Sequence, residues 1–174
     1  MKLITVITAI LFLSSCSEKK DKRGLLTGMY KLIISENIDS TGVWHEDPWT
    51  KGGTGYIVYD GIGHMAVHIT RKGYKDFNWL NRIDALNPEK IEARIDSMSV
   101  DELKAAVREF AGSYAYAANY TIEDTADIVV HNRLSASIPA EWGTFAPRSF
   151  SFSGDTIILR VLDGNRRLKW LKVK

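Results

Sequence analysis

The sequence predicts a mainly β protein, an eight-stranded antiparallel barrel with a helical insert between the third and fourth strands. Eight segments of the 174-residue chain alternate apolar and polar residues with the period of two that strands show. Tight turns rich in glycine and aspartate join most of them. Two segments in the middle of the chain have the helical period instead. A barrel is favoured over an open sheet because closure leaves no exposed edges.

The eight predicted strands lie on both sides of the insert. The second and third form a hairpin across a turn at residues 60–63, and a long polar loop at residues 37–53 separates them from the first strand. An eight-stranded barrel has room inside for side chains or for one small ligand. In chain order the predicted strands cover residues 28–35, 55–59, 64–70, 113–122, 128–135, 148–153, 156–162 and 168–173.

Two helices are predicted in the insert. The first begins with the N-cap Asn87 and the first-turn proline Pro88, after residues 76–86, which are expected to add one or two turns. The second begins at a capping box, residues 99–102, and ends at Gly112. Its apolar residues have helical spacing and are expected to pack on the barrel. This packing would bury Leu103, Val107 and Phe110 and expose Lys104 and Arg108.

Composition and motifs exclude several classes of function. The formal net charge is +2, and basic and acidic residues are mixed along the chain, so no patch predicts a nucleic-acid partner. No Gly-x-Ser-x-Gly, His-Glu-x-x-His or P-loop pattern supports the common hydrolase and nucleotide-binding classes. His64 and His68 lie on one predicted strand, about 13 Å apart, too far to share an ion with bonds of about 2 Å. We therefore predict no metal site and no cofactor.

The N-terminus carries a short apolar segment that ends near a cysteine. Lys2 precedes this segment, residues 3–13, which is too short for a transmembrane helix, because that needs about 20 residues. The run Leu13-Ser14-Ser15-Cys16 contains the only cysteine of the chain and resembles the lipobox of bacterial lipoproteins. The alternative is an ordinary secretion signal with a chance cysteine. We expect a signal peptide at 1–15, a lipidated Cys16 with a charged tether at 16–24, a barrel domain at 25–174, and a place in the bacterial cell envelope, at the outer membrane.

A series of motifs runs along residues 26–170. The first strand carries Gly28-Met29-Tyr30, and the hairpin at residues 55–65 carries a Gly-Tyr-Ile-x-Tyr segment followed by a Gly-x-Met segment. Further motif positions are Tyr116, Tyr120, His131, Pro139, Gly143-Thr144, Arg148, Gly154-Asp155 and Trp170. In order and spacing these residues resemble the bacterial and fungal lipocalin-like domain proteins of the calycin superfamily. The first motif is close to the lipocalin Gly-x-Trp, with tyrosine in place of tryptophan.

The chain departs from the family pattern at three places. Ala118 replaces an expected glycine, Arg133 replaces an apolar residue after the histidine, and the helical insert is longer than usual. The first two changes are expected to alter the pocket and the third its lid. The resemblance implies a lipocalin barrel and a ligand-binding habit, and it implies no particular reaction.

Arg148 is the charged residue of most interest. It shares strand parity with Phe150 and Phe152, so it is expected to point toward the apolar side. An arginine there needs a partner. One interpretation is a structural plug at the barrel rim, with Arg148 stacked on Tyr30. The other is a cationic anchor for a ligand carboxylate or carbonyl, and both can hold together.

Five other residues complete the candidate ligand-binding set. Periodicity places His131 on the outer face of its strand, whereas the family resemblance places it in the pocket. Trp142 either caps the barrel mouth or packs as an ordinary tryptophan. The other three are tyrosines with apolar bodies and polar tips, whose hydroxyls need partners when buried, and they are Tyr59, Tyr116 and Tyr120.

Three functions remain open at this point. We expect a monomeric envelope protein that binds a small apolar or amphipathic molecule. The first alternative is an isomerase or cyclase on the same barrel, with His131 or a tyrosine as general acid–base. The second is a non-binding protein whose barrel is filled by its own side chains. A connected cavity above about 300 Å³ favours binding or catalysis, and a filled core favours the third function.

Overall fold

The computed structural model describes residues 22–76, 86–123, 125–162 and 164–174. The predicted signal peptide, Cys16, most of the tether and most of the extra turns at residues 76–86 lie outside the described residues. Within the described part, the strands are β1 (Gly28–Ile38), β2 (Trp44–Glu46), β3 (Thr54–Tyr59), β4 (His64–Thr70), β5 (Tyr114–Ile122), β6 (Ile128–Ala136), β7 (Phe145–Ser153), β8 (Thr156–Val161) and β9 (Arg166–Lys172). The α-helices are α1 (Arg23–Leu26), α2 (Pro88–Asp96) and α3 (Val100–Ala111), and short 3₁₀ turns lie at Tyr74–Asp76 and Pro139–Glu141.

The sheet closes through β1. Every neighbouring pair from β3 to β9 is antiparallel, and β1 pairs with β3 on one side and with β9 on the other. Met29 lies opposite Val58, and Leu32 lies opposite Trp170. The register of the β1–β9 pair shifts between Leu32 and Ile34, an irregularity of the kind that bends a strand. The predicted closed antiparallel barrel of eight strands is confirmed.

The helical insert was predicted between the third and fourth strands, and this position is wrong. A short ninth strand, β2, lies inside the segment predicted as polar loop 37–53 and pairs with Glu36–Ile38 of β1. The helices therefore follow the fourth strand of the chain. Three residues are too few to show a period of two, so the sequence pattern does not reveal β2. The guanidinium carbon of Arg167 lies 4.1 Å from the Trp44 ring and that of Arg160 lies 5.5 Å from it, which covers this short strand.

The barrel interior is filled at the end where the β3–β4 hairpin lies. The rings of Tyr30, Tyr59 and Tyr120 are almost fully buried there, with Met65 beside them in the same cluster. Tyr59 and Tyr120 pack edge to face, with ring centroids 5.1 Å apart. The cavity described below lies away from these packed tyrosines, toward the opposite end of the barrel.

The predicted packing of α3 is largely wrong. The capping box of Ser99 and Glu102 is present, and Lys104 and Arg108 are exposed as expected. Ala106 is the buried residue of the apolar stripe, however, and Leu103 is only half-buried. Helical spacing identifies the apolar face of a helix, but it does not determine how far a neighbour covers that face.

Two residues of the same stripe, Val107 and Phe110, remain 65% and 37% exposed. The Phe110 ring contacts a residue at the margin of the barrel. It packs edge to face on Tyr74, which in turn packs on His68 of the outer face of β4.

Burial predicts different costs of truncation in β8 and in α3. Ile157→Ala removes a fully buried side chain and is expected to lower the free energy of unfolding by about 2–5 kcal/mol. Phe110→Ala is expected to cost less, because the ring is already more than a third exposed. Urea unfolding of both variants measures the difference. A larger loss for Phe110→Ala would contradict the position of α3.

No helix in the described part of the chain is long and apolar enough to cross a membrane.

Candidate ligand-binding site

A cavity of about 270 Å³ occupies the barrel end opposite the packed tyrosines. Because side chains on a strand alternate between faces, β3, β4, β8 and β9 each turn apolar residues into it. This volume is slightly below the roughly 300 Å³ at which small-molecule pockets usually begin, so it fits a small ligand. The apolar wall consists of Ile57, Val67, Ile69, Leu159, Val161 and Leu168.

A chain of hydrogen-bonded rings forms the polar floor of the cavity. His131 on β6 is 1% exposed, and its two ring nitrogens contact two tyrosine hydroxyls. Nε2 lies 2.9 Å from the Tyr59 hydroxyl, and Nδ1 lies 2.7 Å from the Tyr116 hydroxyl. The chain therefore runs from the packed end, at Tyr59, to the cavity wall, at Tyr116.

Burial determines the protonation of this floor. It lowers the pKa of His131 to about 3, and the charges of Arg148 and Arg133 act in the same direction. The imidazole is therefore neutral at neutral pH. Burial raises the pKa of Tyr59 and of Tyr116, so both hydroxyls stay protonated.

Arg148 on β7 brings a positive charge to the cavity wall. Its Nη1 donates a hydrogen bond to the neighbouring Pro147 carbonyl at 2.8 Å. Among the described residues no carboxylate forms an ion pair with it. The other two arginines of the cavity differ in this respect, because Arg133 pairs with Glu141 and Arg166 pairs with Asp47.

One polar cluster of the cavity wall is built around Arg133 on β6. Its Nη1 donates to the Thr144 hydroxyl at 2.7 Å, and its Nε lies 3.5 Å from a Glu141 carboxylate oxygen. The same carboxylate accepts a hydrogen bond from the Tyr114 hydroxyl at 2.8 Å. The guanidinium also lies over the Tyr116 ring, 5.1 Å from its centroid. The Glu141 carboxylate therefore already has two partners within the protein, Tyr114 and Arg133.

A second polar cluster of the cavity wall is built around Arg166 at the start of β9. Its Nη2 lies 3.1 Å from the Asp47 carboxylate, and its Nε donates to the Ser35 hydroxyl at 3.0 Å. Trp49 covers the guanidinium, with the ring centroid 5.4 Å away. The loop after β2 therefore contributes Trp49 to the cavity wall.

The structure brings together some of the six predicted site residues and separates others. Tyr116, His131 and Arg148 line the cavity, and Tyr59 lies beneath them in contact with His131. Tyr120 packs on Tyr59 in the filled end. Trp142, by contrast, is 59% exposed and donates from Nε1 to the Ala136 carbonyl at 2.6 Å, away from the cavity.

Periodicity assigned the wrong face of β6 to the core. Val129, His131 and Arg133 point inward and are buried, whereas Leu134 is 55% exposed. The inward face carries polar side chains because the tyrosines and Glu141 provide partners for them. The family resemblance, which placed His131 in the pocket, gave the better guide.

Arg148 does not form the predicted rim plug on Tyr30. The cation over the Tyr30 ring is the Lys172 ammonium, 5.8 Å from the centroid. Arg148 lies at the cavity instead.

Five polar or aromatic residues that line the site were not among the six candidate ligand-binding residues. For Arg133 the sequence did carry a signal, because it replaces an apolar family residue and was expected to alter the pocket, and a buried arginine requires partners. The other four gave no local signal, and they are Trp49, Tyr114, Glu141 and Arg166.

His64 and His68 are exposed residues of β4 and lie outside the cavity. Among the residues that the structure describes, no group of three or more His, Cys, Asp or Glu side chains is placed to hold a metal ion.

The fold and the cavity define the class of this molecule as a small antiparallel barrel with an internal ligand-sized site. The chain belongs to the lipocalin-like domain family, whose family model matches residues 27–170. No curated protein and no solved structure matches the chain significantly. The family match confirms the resemblance seen in the sequence.

Proposed function

We propose that this protein is a lipid-anchored protein of the bacterial cell envelope that binds one small amphipathic molecule inside its barrel. The observation that carries the proposal is an apolar-walled cavity containing a guanidinium, that of Arg148, without a carboxylate partner among the described residues. The Arg148 side chain is half-buried at the cavity wall, so its guanidinium is accessible to an anionic or carbonyl group that enters the cavity. A ligand with an apolar body and an acceptor group would provide that partner.

The chemistry of the floor favours binding over catalysis. A general acid–base works best with a pKa near the operating pH. Burial lowers the pKa of His131 to about 3 and raises the pKa of both bonded tyrosines, so none of the three titrates near neutrality. The cavity of about 270 Å³ falls just short of the roughly 300 Å³ set as the criterion for binding. The non-binding alternative requires a filled core, however, and the tyrosines fill one end of the barrel and leave this cavity open.

A plugged variant tests the binding function. Val161 lies at the cavity wall and is only half-buried, so Val161→Trp is expected to block the cavity with little strain on the core. Val58→Trp adds the same ring on the outer face, where Val58 is 40% exposed. Mass spectrometry of gently isolated protein is expected to find a co-purifying small molecule with the wild type and Val58→Trp only. A molecule retained by Val161→Trp, or found with none of the three, argues against the proposed site.

The lipid anchor is tested at its single attachment residue. Cys16→Ser is expected to move the protein from the membrane fraction to the soluble fraction, because no other thiol is available for acylation. The Cys16→Ser protein should also lack the mass of the acyl chains. Membrane association of the variant after a carbonate wash would reject the lipobox interpretation.

A further inference from the structure

His131 can donate only one hydrogen bond to its two tyrosines. A neutral imidazole has one N–H donor and one bare acceptor nitrogen. Its nitrogens contact the Tyr59 and Tyr116 hydroxyls at 2.9 and 2.7 Å. One tyrosine must therefore donate to the bare nitrogen, while the other accepts from the N–H and keeps its own hydrogen for another partner.

The surroundings of Tyr59 decide which tyrosine donates. Tyr59 is 1% exposed, does not line the cavity, and among the described residues has the imidazole as the only hydrogen-bond partner of its hydroxyl. If it accepted from Nε2–H, its own hydrogen would be buried without an acceptor, which is unfavourable. Tyr59 is therefore the donor to a bare Nε2. The imidazole proton lies on Nδ1 and is donated to the Tyr116 oxygen.

This direction makes Tyr116 a hydrogen-bond donor toward the cavity. Its ring lines the cavity wall, and its oxygen already accepts from Nδ1–H, so its hydrogen remains for a ligand. The other polar groups of the wall that lack a full set of partners are also donors. Arg148 has no carboxylate among the described residues, and the buried Nε1–H of Trp170 has no acceptor there. The Glu141 carboxylate, in contrast, is engaged by Tyr114 and Arg133.

We propose that the cavity is a carboxylate site, in which Arg148 and Tyr116 bind the oxygens of a small apolar monocarboxylate. Tyr59 and His131 are positioning residues that orient the Tyr116 hydroxyl. The proposal rests on the proposed binding function and names its ligand class. Three arginines and one glutamate line the cavity, and two of the arginines are paired, which leaves a single guanidinium for a singly charged head group.

Three compounds with one skeleton test the head group. 4-Phenylbutanoate, 4-phenylbutan-1-ol and 4-phenylbutylamine are titrated into the full mature protein in detergent. Trp49 and Trp170 line the cavity, so tryptophan fluorescence reports occupancy. The carboxylate is expected to bind about ten- to 150-fold more tightly than the alcohol, and the amine more weakly still. Equal binding of acid and alcohol, tighter binding of the amine, or binding of none overturns the carboxylate site. The binding function itself is decided separately, by the mass comparison with Val161→Trp.

Variants separate the direct donor from its positioning residues. Tyr116→Phe is expected to weaken the binding of 4-phenylbutanoate about ten- to 150-fold and the binding of the alcohol far less. The Tyr59 hydroxyl does not reach the cavity. Its removal in Tyr59→Phe is expected to weaken the binding of the acid by roughly two- to tenfold, because Tyr116 is then free to donate to His131 instead. Tyr30→Phe is the matched control, a buried tyrosine outside this chain of rings. Unchanged affinity in Tyr116→Phe, or the same loss in Tyr30→Phe, overturns the proposal.

The tautomer of His131 can be measured without a ligand. A merely structural role of Tyr59 and His131 would not require one particular tautomer. Long-range ¹H–¹⁵N NMR of the histidine rings at neutral pH is expected to show protonated Nδ1 and bare Nε2 for His131. Tyr59→Phe is expected to shift this balance, and Tyr30→Phe is expected to leave it unchanged. Protonated Nε2 in the wild type would contradict the assigned direction of the hydrogen bonds.

Discussion

Acidification from pH 6.5 to pH 3 is expected to lower the free energy of unfolding by about 4–5 kcal/mol through His131 alone. Burial, assisted by the charges of Arg148 and Arg133, lowers the pKa of this imidazole from 6.5 to about 3 in the folded state. Between these values the unfolded chain binds a proton that the folded protein does not. The stabilisation is therefore complete above pH 6.5 and falls by about 1.4 kcal/mol per pH unit until the folded protein is protonated near pH 3.

The comparison with His131→Gln isolates this contribution. The variant is expected to be less stable at pH 7, because two buried tyrosine hydroxyls lose their partner, and to have a flatter pH profile in urea unfolding. Other groups, such as Glu36, whose pKa is lowered by Arg167, act in both proteins and cancel in the difference. His68→Gln removes an exposed histidine and is expected to keep the wild-type slope. Parallel profiles for the wild type and His131→Gln would show that His131 is not the group responsible.

The barrel could be predicted because its signal is local and repeated. Each strand carries its own period of two, and each tight turn carries its own glycine or aspartate. The pairing of β1 with β9 joins residues that are at least 129 positions apart, as Asn37 and Arg166 are, yet it follows from eight strands that must leave no edge. The short β2 and the incomplete cover of α3 could not be predicted, because neither depends on a local period.

The site was only partly predictable for a different reason. Alternation identifies the apolar face of a strand, and on β6 the inward face carries His131 and Arg133 while Leu134 faces out. Polar residues face inward where partners from other strands satisfy them, and those partners come from distant segments. Arg166 and Asp47, for example, are far apart in sequence and meet only when β9 closes against β1. Alternation alone therefore does not reveal an inward face that carries polar residues.

Arg148→Met is expected to weaken the binding of an acidic ligand by about ten- to 150-fold. Methionine keeps much of the side-chain volume while removing the charge and the donor fork. Loss of a charge-assisted hydrogen bond corresponds to about 1.5–3 kcal/mol. Arg160→Met is the matched control, since it removes an exposed arginine from the outer face of β8, over Trp44. Titration of 4-phenylbutanoate into both variants and the wild type measures the effect.

Thermal melts of the ligand-free proteins separate binding from scaffolding at this position. A guanidinium that stabilises the fold would lower the melting temperature when it is removed. Arg148 has only the Pro147 carbonyl as a hydrogen-bond partner among the described residues, so Arg148→Met is expected to melt at or above the wild-type temperature. Its loss should also raise the pKa of His131, because the charge of Arg148 helps to lower it, so the acid transition of the variant should end at a higher pH. Unchanged affinity together with a lower melting temperature would make Arg148 part of the scaffold and leave Tyr116 and His131 as the groups that select the ligand.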